Sequence, residues 1–177
     1  MPGDFNFRNL TPDVRACMLK EIDQDIADNV LVSSKRFTEA GNINYPPLLR
    51  SAATTYNEAW LGDRLIGSFN EWELSAGKQK KVAKNAHTLL AQNEFNRFYC
   101  RALCLYVLTN PDNSIRIYRA RESEKPRPQS EAKLGRMLDA AVVLKDLRDH
   151  LATEVEFGTP EIFSGLSLEL VPNANLV

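Results

Sequence analysis

A chain of 177 residues that is 44 % hydrophobic and 25 % charged, with a formal net charge of −1, has the make-up of one ordinary globular domain, not of a disordered or fibrous chain. Its longest apolar run, Ala102 to Leu108, is far short of the roughly 20 residues that a membrane-spanning helix needs. The start, MPGDFNFRN, carries no basic segment followed by an apolar core, so no secretory leader and no membrane partner are expected.

The first helix is predicted from Thr11 as N-cap, with Pro12 at the first helical position and Asp13 complementing the dipole. Val14, Met18 and Ile22 give it an apolar stripe, with Cys17 and Ile26 alongside, and Asn29 is a plausible stop. Asp23, Asp25 and Asp28 sit towards its C-terminal end, where the dipole disfavours acids, so they are expected to face a basic partner surface. Ser34 to Ala40 reads as a short helical turn closed by Gly41, and Pro46-Pro47 as the opening of a further helix. That helix is expected to continue its period through Tyr56, Trp60, Leu61 and Leu65, with Gly62 at a close-packing point and Gly67 as its end.

Ser75 to Lys84 is basic and nearly free of large apolar residues, which predicts an exposed excursion or hairpin within a single domain spanning 1–177. His87 to Leu108 is apolar around most of its second half and is predicted to be the central, buried helix. After a turn at Pro111-Asp112-Asn113, the alternation in Ser114 to Arg121 predicts a strand. Asp139 should cap a helix through Val142, Val143, Leu147 and Leu151, and Leu166 to Val171 alternates like a second strand able to pair with the first. The fold class expected is α+β: a helix-dominated domain with a central buried helix and a small sheet of a few strands.

Positive charge is segregated. Lys78 to Arg127 holds eleven Lys or Arg against four acids, so the segments 1–77, 78–127 and 128–177 carry −4, +7 and −4. Such a middle block either seeks an anion or partner, or is neutralised by the chain's own ends on folding. The candidate contacts in it are Lys78, Lys80, Lys81, Arg97, Arg101, Arg116, Tyr118, Arg119 and Arg121. Arg97 and Arg101 are four apart and share one helix face, either gripping phosphate or carboxylate or pairing with the acids at 23–28 and 146–149. Alternation puts Arg116 and Tyr118 on one strand face and Arg119 and Arg121 on the other, a pattern that suits single-stranded nucleic acid or simply guards a sheet edge.

Signatures of catalysis are thin. The histidines His87 and His150 are scattered, Gly135 stands alone, and no nucleophile elbow or phosphate loop is present, so no cofactor and no metal are expected. Ile117-Tyr118-Arg119 with Glu154-Val155-Glu156 resembles part of the ADP-ribosyltransferase pattern, but the Ser-Thr-Ser strand between them is missing. The three cysteines, Cys17, Cys100 and Cys104, are expected as reduced thiols, which points to a reducing compartment, the cytoplasm.

The stretch Asn93 to Cys104 (NEFNRFYCRALC), followed by Tyr118 to Arg121, Pro126 to Glu131 and Gly165-Leu166-Ser167, resembles uncharacterised proteins encoded by bacteriophages and prophages. The resemblance covers roughly the C-terminal half and implies a setting, not an activity. Together these features predict a non-enzymatic structural or assembly protein, a head or tail accessory of a phage particle, binding copies of itself or a neighbouring structural protein. The alternatives are a nucleic-acid-binding module built on the basic block, and a small transferase or hydrolase acting on an anionic substrate through Arg97, Arg101 or Arg119 with Glu154 or Glu156.

Overall fold

A computed structural model of the chain describes residues 4–149 and 165–173. In order these form α1 (Pro12–Ala27), α2 (Glu39–Thr54), α3 (Glu58–Arg64), β1 (Trp72–Ser75), β2 (Lys78–Lys81), α4 (Ala86–Thr109), β3 (Asn113–Arg119), α5 (Pro128–Glu131), β4 (Met137–Leu138), α6 (Ala140–Asp149) and β5 (Leu166–Pro172). The class is α+β and helix-dominated, as the sequence predicts. The helix α4 is central, packed against α1, α3 and α6 and against the sheet.

The capping expected for α1 is present: Thr11 Oγ1 accepts from Val14 N at 3.4 Å, and the helix closes at its C-cap Asp28, followed by Asn29 with a left-handed φ of 57°. Its buried face runs Val14, Met18, Glu21, Ile22, Asp25, so two acids share the apolar stripe. The next region departs from expectation. Ser34 to Ala40 is no helix turn closed by Gly41. Phe37 instead bridges to Phe69, Thr38 caps α2 through Gly41 N at 3.0 Å, and Gly41 lies inside that helix. A β-carbon at Gly41 would stand 2.3 Å from Ser68 O, so the loop at 68 can approach only a glycine here.

Pro46 and Pro47 do not open α2 but lie within it. They remove the donors that would have bonded the carbonyls of Asn42 and Ile43. Both of those residues are exposed, so water can take up the two acceptors and the helix survives. The period also breaks where it was expected to continue. Asn57 Oδ1 accepts from Trp60 N at 3.0 Å and starts α3 as a separate helix. Gly62 does pack closely, with Thr88 Cα 3.5 Å from where its β-carbon would be.

The sheet has the order β4-β3-β5, all antiparallel, with Ile117 opposite Leu168 and Ile115 opposite Leu138. Ile115 and Ile117 face the core with Leu166 and Leu168. The N-terminal segment straps the sheet down. Asn6 N donates to Ala120 O at 2.7 Å, Leu170 N donates to Asn9 Oδ1 at 2.9 Å, and the ring of Phe7 packs on Phe95 and Tyr99. Asp139 Oδ1 accepts from Val142 N at the start of α6, as expected. The expectations for His150, Leu151, Glu154 and Glu156 fall outside the described residues.

Candidate partner-binding surface

The nine candidate residues of the basic block do not converge on one cavity. Arg101 is 1 % exposed and lies in the core. Its Nε donates to Glu21 at 2.8 Å, and its two terminal nitrogens form a fork on Asp25 at 2.7 and 2.8 Å. Arg148 reaches the same Glu21 at 3.0 Å, so the cluster ties α1, α4 and α6 together. Burial pushes the Glu21 carboxyl up, but the hydrogen bonds and charges of Arg148 and Arg101 outweigh it and hold the pKa below the ordinary carboxylate range. Asp25 therefore faces an internal arginine and not a partner, and Asp23 pairs with Arg50 at 2.8 Å. Arg97 is also buried, 3.7 Å from Glu94. Burial raises the pKa of Glu94, more than the charges of Arg97 and Arg101 lower it.

On the sheet, Arg116 pairs with Glu169 at 2.8 Å and shares it with Arg8, which bonds the other carboxylate oxygen at 2.6 Å. Tyr118 is 5 % exposed, with its hydroxyl donating to Asn6 O and Arg8 stacked 4.4 Å from its ring centroid, so it offers no stacking platform. Its phenol is pushed up to about 12, chiefly by burial. Arg119 pairs with Glu131. Arg121 lies beyond the end of β3, bonded to Gln92 and stacked 5.2 Å over Phe5. Cys100 and Cys104 are buried thiols and Cys17 is half-buried. Burial pushes the Cys100 thiol to about 12, which suppresses the thiolate at neutral pH.

The lysines behave differently. β1 and β2 form a two-stranded hairpin with Trp72 opposite Lys81 and Ser75 opposite Lys78. Its two turn residues, Ala76 and Gly77, have φ of 49° and 75°, the left-handed pair that matches the twist of a tight hairpin. Alternation sorts the side chains. Trp72, Leu74, Gln79 and Lys81 lie on one face, and Glu73, Ser75, Lys78 and Lys80 on the other.

The base of the hairpin is anchored: Asn70 N donates to Arg36 O at 2.8 Å, Val82 N to Glu71 O at 2.9 Å, and Arg36 pairs with Glu73 at 2.7 Å. Lys81 pairs with Glu71 at 3.1 Å. Lys78, Lys80 and Lys84 have no ion pair among the described residues. Leu74 is 79 % and Trp72 49 % exposed, so apolar surface and free cations share one projecting element. Sequence reading identified the lysines but not Trp72 and Leu74, whose signal was the alternation W-E-L-S running into an Ala-Gly turn.

Among the described residues, no helix is long and apolar enough to cross a membrane, and no group of three or more His, Cys, Asp and Glu could hold a metal ion. No protein-family model, curated protein or solved structure matches the chain.

Proposed function

We propose that this chain is a non-enzymatic assembly protein whose contact element is the hairpin of β1 and β2. The observation that carries the reading is the division of the basic block. Its arginines are engaged within the fold, while the hairpin presents Lys78 and Lys80 on one face and exposed Trp72 and Leu74 on the other. An isolated two-stranded hairpin is marginal in water and gains from a third strand. The outer edge of β2 is guarded by lysines, which discourage a neighbouring strand, whereas β1 (Trp72–Ser75) carries none. The reading therefore places an added strand along β1, supplied by a second copy or a neighbouring structural protein, with Lys78 and Lys80 steering an acidic surface into register. A phage particle, the setting that the sequence resemblance implies, forms part of this proposal.

Sedimentation velocity over a wide concentration range tests it. The wild-type chain should self-associate, and Leu74→Asp and Lys78→Glu/Lys80→Glu should each remove the association without changing the circular dichroism. A strictly monomeric wild-type chain at high concentration that captures no structural protein would overturn it.

The free lysines support nucleic acid as a second reading. It would show as affinity for single-stranded DNA that falls steeply with salt and is lost in the same lysine variant. Tyr118 and the strand arginines, being engaged, would not contribute.

A further inference from the structure

A groove of about 400 Å³ lies between the N-terminal segment and the α2–α3 corner, on residues that the hairpin does not use. Phe5 and Phe7, stacked at 5.3 Å, and Tyr56 and Trp60, stacked at 4.2 Å, are among its lining side chains. Glu58 also lines it and is 1 % exposed. One carboxylate oxygen, Oε1, accepts from Phe5 N at 2.7 Å, while Oε2 is buried with no partner among the described residues. A buried carboxylate oxygen without a donor is costly, and the missing donor defines what the groove lacks.

We propose that this groove binds an organic cation, a guanidinium or primary ammonium group, that donates to Glu58 Oε2 against the aromatic side chains. Three arginines of the chain already show the local preference. Arg15 donates to the carbonyls of Ala52, Ala53 and Tyr56 at 3.2, 2.8 and 2.9 Å, where the end of α2 is electronegative. Arg64 stacks 5.3 Å over Trp60, and Arg121 stacks over Phe5. Arg15 and Arg64 are occupied with carbonyls and a ring, Arg121 is bonded to Gln92 and adds only its charge near Glu58, and Oε2 is the acceptor to which none of them donates. An anion would be repelled by Glu58, and a neutral apolar ligand would leave Oε2 buried and unpaired. A cation removes that cost and gains from the exposed ring of Tyr56 as well, since Trp60 and Phe5 already carry Arg64 and Arg121. The groove is of a size to take a small amine or one side chain.

The cation could be a free small molecule or the Arg or Lys side chain of a protein, and two probes separate these sources. In a Trp72→Phe background, Trp60 emission is followed during titration with ethylguanidinium chloride or with a capped Ala-Arg-Ala tripeptide, against sodium chloride at equal ionic strength. A saturable change with the guanidinium probes and none with sodium is expected. Glu58→Gln should weaken binding about tenfold or more, and Tyr56→Ala severalfold. Tighter binding of the tripeptide assigns the cation to a polypeptide partner, and equal binding to a free small molecule. No saturable change, or undiminished binding by Glu58→Gln, overturns the proposal. Should Glu58→Gln fail to fold, unchanged affinity in Tyr56→Ala, an exposed position, does the same. The test reads a single chain and is independent of hairpin-mediated assembly.

Discussion

Two halves of one basic block meet opposite fates. Arg97 and Arg101 stand on a helix that the core surrounds, so their charge has to be answered inside the fold, and Glu21, Asp25 and Glu94 answer it. Lys78 and Lys80 stand on a hairpin surrounded by water, where no partner is needed and none is supplied. Residue type follows the same division. The planar guanidinium fork suits a fixed bidentate pair, and the strongly hydrated ammonium suits a surface. A local sum of +7 thus overstates the free charge, because the supporting element decides whether a cation is structural or available.

The largest effect should come from removing a core cation. Arg101→Met leaves Glu21 and Asp25 buried beside Arg148 alone, and a loss of about 3–5 kcal/mol in urea denaturation is expected. A loss below about 1 kcal/mol would show that the acids readily find water or other partners, and would collapse the contrast.

Next in size are the opposed pH dependences of two buried carboxyls. Glu21 has a depressed folded pKa, so its stabilisation is present above the ordinary carboxylate range, about 4.3, and is lost as pH falls through the folded value. Glu94 has a raised folded pKa, so stability is lost as pH climbs from the ordinary value through the raised one. Glu21→Gln should flatten the acid side of the stability profile, and Glu94→Gln should flatten the loss at higher pH. Denaturation midpoints measured across pH 3–8 (roughly the span over which such carboxyls titrate) would show it, and identical profiles for the two variants would contradict it.

A smaller effect is expected on the sheet. Arg116 is 42 % exposed at its side chain, and Glu169 keeps Arg8, so Arg116→Ala should cost no more than about 1 kcal/mol in the same urea titration. Smallest of all for stability is Lys78→Glu/Lys80→Glu, whose denaturation midpoint should match wild type at a dilution where neither chain associates, while association at higher concentration is lost. A large shift in that midpoint would mean that the hairpin is part of the core's energetics and not a separate contact element.

Much of the fold was legible because local chemistry and tertiary packing agree there. Thr11-Pro12 starts α1, the apolar second half of α4 belongs in the core, and SIRIYR and LSLELV alternate as paired strands. Reading failed where a tertiary contact overrides a local rule. Pro46-Pro47 looks like a helix start, but their face is outward and the freed carbonyls can be hydrated, so α2 runs through them. Gly41 looks like a stop, yet it is a contact with the loop at Ser68. For the site, composition located the cations and even their possible internal partners. It could not say which were engaged, since that depends on α1 and α4 lying side by side. Phe5 and Arg8 escaped notice because a strap of irregular backbone carries no period.

The prolines of α2 also divide that helix in time. With two consecutive donors missing, the turns before Pro46 and those after Pro47 are joined by fewer hydrogen bonds than either set contains. Amide hydrogen exchange should therefore resolve two cooperative units. The first, bearing Gly41 and Tyr45, would open with the loop at Ser68, and the second, bearing Leu49, Ala52 and Ala53, only with α1 and α4. Since the first unit meets the loop at 68, just before the base of the hairpin, a partner clamping β1 would slow exchange at amides that it never touches.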